Sequence, residues 1–239
     1  MLKISFHHGI ITPNENAYIN IVVKIHSNGG KNIMKVLLVN SSPHENGCTF
    51  TALSEAAKRL NEHGIDTEIF QLGIKPVQGC IACGSCAKTG KCFKDDKVNE
   101  FASMIGEADG FIFGSPVYYA GASGQLMSFM DRLFYSASKR LEGKPACAVV
   151  SCRRGGASAA FDNINKYFLM CNMPVVPSQY WNQVHGRCAE DVLKDEEGLQ
   201  TMRTLADNMA WLLKCIELGK QNGICVPKRE PKIRTNFIN

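Results

Sequence analysis

The chain has 239 residues, which suits one α/β domain with extensions and falls short of two full domains. Hydrophobic residues make up 45% and charged residues 21%, the balance of a globular domain with a proper core, and no apolar run reaches the roughly 18–20 residues a membrane span needs. The net charge of +5 sits at the ends: Lys3, Lys24 and Lys31 against Glu15, then Lys228, Arg229, Lys232 and Arg234 against Glu230, leaving the body neutral, with no sign of a basic body that would track nucleic acid.

Cysteine usage adds a further bound. The eleven cysteines are an odd number, with four of them between Cys80 and Cys92. That pattern argues against a secreted disulfide framework and for a reducing, cytoplasmic setting in which thiols serve as ligands or redox groups.

Residues 1–33 read as an extension distinct from the body at 34–219. The strand-like patch Tyr18–Val23 runs into Ser27-Asn28-Gly29-Gly30, and no secretory cleavage pattern is present. Gly29-Gly30-Lys31 ahead of Met34 can be encoded by a ribosome-binding sequence, so Met34 is the expected natural start. A basic tail follows at 220–239.

The body begins with Val36–Val39, an aliphatic run expected of a buried parallel strand. It breaks into Asn40-Ser41-Ser42-Pro43-His44-Glu45-Asn46-Gly47-Cys48-Thr49, after which Phe50, Leu53, Ala57 and Leu60 share one helical face. A strand, a hydroxyl-bearing loop and a helix N-terminus form an anion site, or else a plain βα turn. No G-x-G-x-x-G follows the strand, and Gly84–Cys92 misses a P-loop by one residue and by Cys92 in place of Ser or Thr. The loop therefore suits a terminal phosphate monoester, as on FMN, better than a pyrophosphate.

Asp66–Phe70 reads as a second strand. The long stretch Gln71–Asp95 lacks periodicity, which marks a functional loop. Val98, Phe101, Ala102 and Ile105 predict a helix. Phe111–Phe113 predicts a third strand, ending in Gly114-Ser115-Pro116-Val117-Tyr118-Tyr119. Leu126, Phe129, Met130 and Leu133 predict another helix. Ala146–Val150 predicts a fourth strand, breaking at Ser151-Cys152-Arg153-Arg154-Gly155-Gly156, and a helix then leads to Met170. Pro174–Pro177 reads as a short fifth strand, and a last helix runs from about Glu197 to Leu218. The alternation predicts a doubly wound, five-stranded parallel sheet with helices on both faces.

In such a sheet ligands bind beyond the carboxyl ends of the strands. The three loops leaving those ends offer phosphate chemistry, aromatic faces at Tyr118 and Tyr119, and Arg153 with the flexible Gly155-Gly156. The bland alternatives are core tyrosines and a plain helix entry. His185 either reaches a substrate or makes a structural hydrogen bond. No Ser-His-Asp constellation or paired acid motif is evident.

The segments VNSSPHENGCT, GSPVYYAGASGQLMSFMDR and SCRRGG resemble the three flavin-contacting loops of the NADPH-dependent FMN reductases, a flavodoxin-like family, over nearly all of Met34 to Gly219. The resemblance implies that Ser41, Ser42, Cys48, Thr49 and Phe50 surround the FMN phosphate. It implies that Pro116, Val117, Tyr118 and Tyr119 hold the isoalloxazine, with Ser151, Arg153, Gly155 and Gly156 at its other edge. His44 and Cys48 depart from the arginine and asparagine common in the family. The tail residues Trp211–Lys214 and Arg234–Phe237 resemble a clostridial-type branch that includes FMN-dependent azoreductases. The family implies NAD(P)H as co-substrate, a small planar acceptor (quinone, azo compound, nitroaromatic or flavin), and a homodimer or homotetramer.

Cys80, Cys83, Cys86 and Cys92 form a compact array whose soft thiols suit a [4Fe-4S] cluster, with zinc or a cluster-free loop as alternatives. The array resembles that of the iron–sulfur flavoproteins. Three functions follow as expectations: a flavin-dependent reductase of small acceptors, an electron carrier between protein partners, and a non-enzymatic flavin-based redox sensor.

Overall fold

A computed structural model describes residues 33–231 and 233–237. The strand-like patch at Tyr18–Val23 and the question of the natural start fall outside these residues.

Five strands run parallel in the order β2-β1-β3-β5-β6: β1 Lys35–Asn40, β2 Asp66–Gln71, β3 Gly110–Tyr118, β5 Ala146–Cys152 and β6 Gln183–His185. A two-residue strand, β4 Gly121–Ala122, folds back antiparallel on the end of β3. The helices are α1 Cys48–Glu62, α2 Ser85–Thr89, α3 Lys97–Met104, α4 Gly124–Leu141, α5 Ala157–Met170, α6 Ala189–Val192 and α7 Glu196–Gln221. This is a flavodoxin-like fold.

The period of two along each strand divides the core between two faces. Leu37 and Val39, with Phe111, Phe113, Ala148 and Val150, pack with Phe101 of α3, Phe129 and Leu133 of α4, and Ile164 and Phe168 of α5. Val36 and Leu38, with Ile112, Cys147 and Val149, pack with Leu53, Ala56 and Leu60 of α1 and with Met202, Leu205 and Met209 of α7. Both sets lie away from solvent, so these strands read as continuous apolar runs rather than alternating ones. Each fully buried leucine or phenylalanine contributes about 1.5–3 kcal/mol. Helices therefore cover both faces of the sheet, and the methionines of α7 fill core positions.

The predicted fifth strand requires correction. Pro174–Pro177 makes only one isolated bridge, in which Ala146 N donates to Pro174 O at 2.9 Å and Val176 N donates to Ala146 O at 2.9 Å. Prolines at both ends lack the N–H that would extend the pairing. The strand that completes the sheet is β6, with Val184 opposite Ser151 and His185 opposite Cys152. It is pinned by Asn182, fully removed from solvent, whose Nδ2 donates to Ala148 O at 3.0 Å, and by Val150 N donating to Asn182 O at 3.0 Å.

Side chains cap the helices that lead away from functional loops: Ser123 accepts from Leu126 N before α4, Asp96 from Val98 N before α3, and Asp195 from Gly198 N before α7. Helix α1 differs. Its N-cap is Gly47, with no side-chain cap and no acidic residue in the first turn. Beyond α7, Arg229 Nε bonds Glu142 Oε1 at 2.7 Å. No described helix is long and apolar enough to cross a membrane.

Candidate functional site: three loops at the strand ends

The loop after β1 is shaped by Asn40, a fully buried polar residue that composition gives no reason to single out. Its Oδ1 accepts from Ser42 N at 3.1 Å, and its Nδ2 donates to Glu45 O at 3.3 Å. This side-chain-to-backbone turn holds the chain open just where α1 begins. Ser42 Oγ accepts from His44 N at 3.1 Å, and Gln71 Nε2 donates to Ser42 O at 2.8 Å.

Ser41 faces inward. Its hydroxyl donates to Gly114 O at 2.8 Å and lies 3.1 Å from Ser123 Oγ, while Ser41 N donates to Gly114 O at 3.1 Å. Ser123 N in turn donates to Ser115 Oγ at 2.9 Å. These buried hydroxyls tie the first loop to the β3–β4 segment. Thr49 provides a second tie, with Oγ1 2.8 Å from Ser151 Oγ at the end of β5, both side chains buried.

Gly114 permits the close approach of α1. A Cβ there would lie 2.8 Å from Leu53 Cδ1 and 2.9 Å from Thr49 Cγ2. The N–H groups at the start of α1 carry the positive end of the helix dipole. Burial pushes the thiol of Cys48 above its ordinary range. It is therefore neutral at pH 7 and adds no negative charge beside those donors. Phe50 is partly buried beside them.

The β3–β4 hairpin turns through Tyr119 and Ala120, at φ 50° and 60°, a left-handed pair that non-glycine residues adopt at a cost. Tyr118 and Tyr119 are exposed rather than core aromatics, and Pro116 and Val117 are half-buried. The turn lies against Gly156, which has φ 87° and whose added Cβ would meet Ala120 Cα at 2.7 Å. Gly156 is thus required by both conformation and contact. It joins the second loop to the third, where Arg153 and Gly155 are exposed.

His185 lies on the neighbouring strand. Its backbone N donates to Asp195 Oδ2 at 2.6 Å, and its ring Nδ1 is 3.7 Å from the same oxygen. The bond is thus made by the backbone, while the ring, beyond hydrogen-bond distance of that oxygen, is half-exposed.

The four cysteines are placed elsewhere on the chain, at α4. Cys80, Cys83, Cys86 and Cys92 line one cavity of about 130 Å³, together with Phe93, Arg132 and Tyr135. Gly84 takes a left-handed conformation, with φ 70°. Gly79 does not, and Ala82 at φ 53° makes the other turn. The thiols share the cavity wall, but no group of three His, Cys, Asp or Glu among the described residues converges closely enough to hold a metal ion. Ser123 and Arg132 are nine residues apart on and before one helix, about 13–14 Å of rise, so α4 links the two regions.

A parallel sheet in the order 2-1-3-5-6, with phosphate-type, aromatic and glycine loops gathered at its carboxyl edge, defines a flavodoxin-like protein. Residues 34–186 match the sequence profile of the NADPH-dependent FMN reductases, and the chain belongs to that FMN-binding family. It is 35% identical over 194 residues to an iron–sulfur flavoprotein of Methanocaldococcus jannaschii, covering 77% of this chain and all of that one. It is 33% identical over 101 residues to an FMN-dependent NADPH-azoreductase of Staphylococcus saprophyticus, covering 42% of this chain and 52% of that one. An archaeal flavodoxin superimposes with a TM-score of 0.52 at 17% identity, over 76% of this chain and 99% of that one, a likeness of fold.

Proposed function

We propose that the chain is an FMN-dependent NAD(P)H oxidoreductase that passes electrons to a small planar acceptor. The observation that carries this reading is the joining of three strand-end loops by the Thr49–Ser151, Ser41–Ser123 and Gly156–Ala120 contacts. FMN, when bound, supplies the hydride chemistry between nicotinamide and acceptor.

The chain's own residues bind and orient. The backbone N–H groups of Cys48, Thr49 and Phe50, with Ser42, hold the phosphate at the α1 N-terminus, where dipole and donors favour an anion. Thr49 also fixes Ser151 at the far edge, so the two ends of the site are set by one buried hydrogen bond. Pro116, Val117, Tyr118 and Tyr119 provide a wall for the flat ring, and Gly155 and Gly156 allow close backbone approach on its other side. Arg153, exposed, offers positive charge at the edge. Quinones, azo compounds, nitroaromatics and free flavin fit a slot of this kind. A homodimer or homotetramer belongs to this reading, with Tyr119 at the exposed hairpin tip as a contact. Titration of apoprotein with FMN, followed by quenching of flavin fluorescence, tests it; one-to-one binding weakened by Ser42→Ala is expected, and an unchanged affinity removes the phosphate assignment.

A second reading is favoured by the shared cavity of the four cysteines. Four thiols on one wall are the donor set of a [4Fe-4S] cluster, which would supply one-electron transfer and make the protein an electron carrier. The relative of that name at 35% identity supports this reading. Cluster binding requires the thiols to draw closer than they lie here. Iron and sulfide analysis of anaerobically purified protein tests it: four irons per chain, lost in Cys80→Ser or Cys92→Ser while FMN remains, is the expected result.

A further inference from the structure

Among the described residues, Arg59, Arg132, Arg203 and Arg229 each give their guanidinium to a carboxylate, and Arg140 gives its own to Ala102 O. Arg153, Arg154 and Arg187 are exposed and do neither. These three leave the sheet together. Cys152 at the end of β5 pairs with His185 at the end of β6, and Gly186 N donates to Cys152 O at 3.1 Å. The two arginine-bearing segments therefore start as neighbours, about 5 Å apart. The carboxylates nearby take their hydrogen bonds from other groups. Asp195 Oδ2 accepts from His185 N at 2.6 Å, and its Oδ1 accepts from Gly198 N at 3.0 Å. Asp191 Oδ2 accepts from the backbone N of Arg187 at 3.0 Å, and Glu190 bonds the Cys188 thiol. Guanidiniums without an ion pair thus gather at the carboxyl edge of a body that has no net charge of its own.

We infer that Arg154, supported by Arg187, forms a rim that selects substrates carrying an oxyanion outside the flat ring. The inference rests on the flavin-slot reading above, in which Arg153 stands at the ring edge. The oxyanion is a carboxylate or sulfonate on the acceptor, or the additional phosphate that distinguishes NADPH from NADH. Arginine suits this task because it is always charged, weakly hydrated, and presents a planar fork that takes two oxygens of one anion. A fork already given to a carboxylate of the protein would have to break that pair first, and here it does not. The phosphate of FMN itself is assigned to the N–H groups of α1 and to Ser42, so Arg154 is free for a second anion.

The test is equilibrium titration of the oxidised, FMN-loaded protein, without turnover, at low and high salt. Two matched pairs of probes are used: methyl red against its methyl ester, and NADP+ against NAD+. The parent should favour the member with the extra anionic group in at least one pair, and salt should shrink that preference. Arg154→Gln should weaken the favoured member about tenfold, the value of one hydrogen bond to a charged group, and leave the other member and the flavin content unchanged. Arg154→Lys should keep part of the preference, because the charge remains and the fork is lost. The pair that responds names the source of the anion. A parent without preference in either pair, or an Arg154→Gln variant that weakens both members equally, overturns the inference. Arg187→Gln, read in the same way, decides if the first variant folds poorly. Failure of NADPH and NADH to bleach the flavin would instead overturn the reductase reading, and these titrations would still decide whether the rim binds anions.

Discussion

The hydroxyls of Thr49 and Ser151 lie 2.8 Å apart inside the protein, although 102 residues separate them in the chain. One belongs to the first turn of α1 and the other to the last turn of strand in β5. The loop suited to a phosphate and the loop at the far edge of the proposed flavin slot are therefore tied by a direct buried contact. Truncating Thr49 to alanine should lower FMN affinity severalfold, since it removes one neutral hydrogen bond, worth about 0.5–1.5 kcal/mol, that holds the far loop in place. Ser151→Ala should cost less alone. The two changes should be less than additive in a double-mutant cycle read by flavin fluorescence, because they share one hydrogen bond. Strict additivity would mean that the pair does not link the loops.

Gly156 and Gly121 separate fold from ligand. Alanine at Gly156 would meet Ala120 Cα at 2.7 Å and hold a left-handed φ of 87°, so Gly156→Ala should destabilise the protein by about 1–3 kcal/mol in urea unfolding and deform the β3–β4 turn. Alanine at Gly121 meets only Tyr118 O, at 3.5 Å, with no conformational penalty. Gly121→Ala should therefore fold with parental stability. A loss of both the NAD(P)H and the acceptor half-reactions in stopped-flow kinetics would then report a ring lying against that backbone. Loss of only one would place the two substrates on different surfaces.

Helices α1 and α7 are fastened by Asp207, which accepts from Arg59 Nε at 2.7 Å and lies 2.6 Å from His63 Nε2. Hydrogen bonding from Arg59 holds the Asp207 carboxyl below the usual carboxylate range. A depressed value means that the folded state favours the ionised form. This stabilisation is complete above about pH 4, the unfolded value, and is lost as pH falls through the lower folded value. Because both partners are more than a third exposed, solvent screening limits the effect. Asp207→Asn should lower stability by less than about 1 kcal/mol at pH 7, and the difference from the parent should shrink as pH falls below about 4 and in high salt. A difference independent of pH would assign the loss to packing.

Ala82 holds φ 53° within the cysteine segment. Ala82→Gly should relieve that strain, offset in part by the greater freedom of glycine in the unfolded chain. The stability measured by thermal unfolding should change by well under about 1 kcal/mol. On the cluster reading, Ala82→Val, β-branched at a left-handed position, should lose iron without losing flavin. Retention of iron by the valine variant would show that this turn does not set the cavity.

The sheet was largely legible because its central strands are buried on both faces and so read as unbroken apolar runs, as at Val36–Val39 and Ala146–Val150. The edge strand was not. Gln183-Val184-His185 buries only Val184, and its pairing depends on Asn182 and Asp195, which reach it from outside the strand. Pro174–Pro177 has the apolar content of a strand but lacks the donors. The loops of the site were legible through their turn chemistry, whereas the inward orientation of Ser41 follows from Gly114 and Ser123, more than seventy residues away. Arg132 closes the segment GSPVYYAGASGQLMSFMDR that carries the family resemblance, but nothing local signals its burial. An arginine on a helix reads as solvent-facing until Asp96 and the carbonyls around it are brought together by the fold.

The central claim is that these three loops hold FMN and that reduced nicotinamide delivers electrons to it. Its most direct measurement is the absorption spectrum of anaerobically purified protein before and after NADPH is added. The account predicts oxidised flavin bands at one FMN per chain that bleach on addition and recover when a quinone or azo acceptor follows. Bound FMN that stays oxidised in excess NADPH and NADH, yet bleaches with dithionite, would contradict it and leave a flavin-binding protein without the reductase.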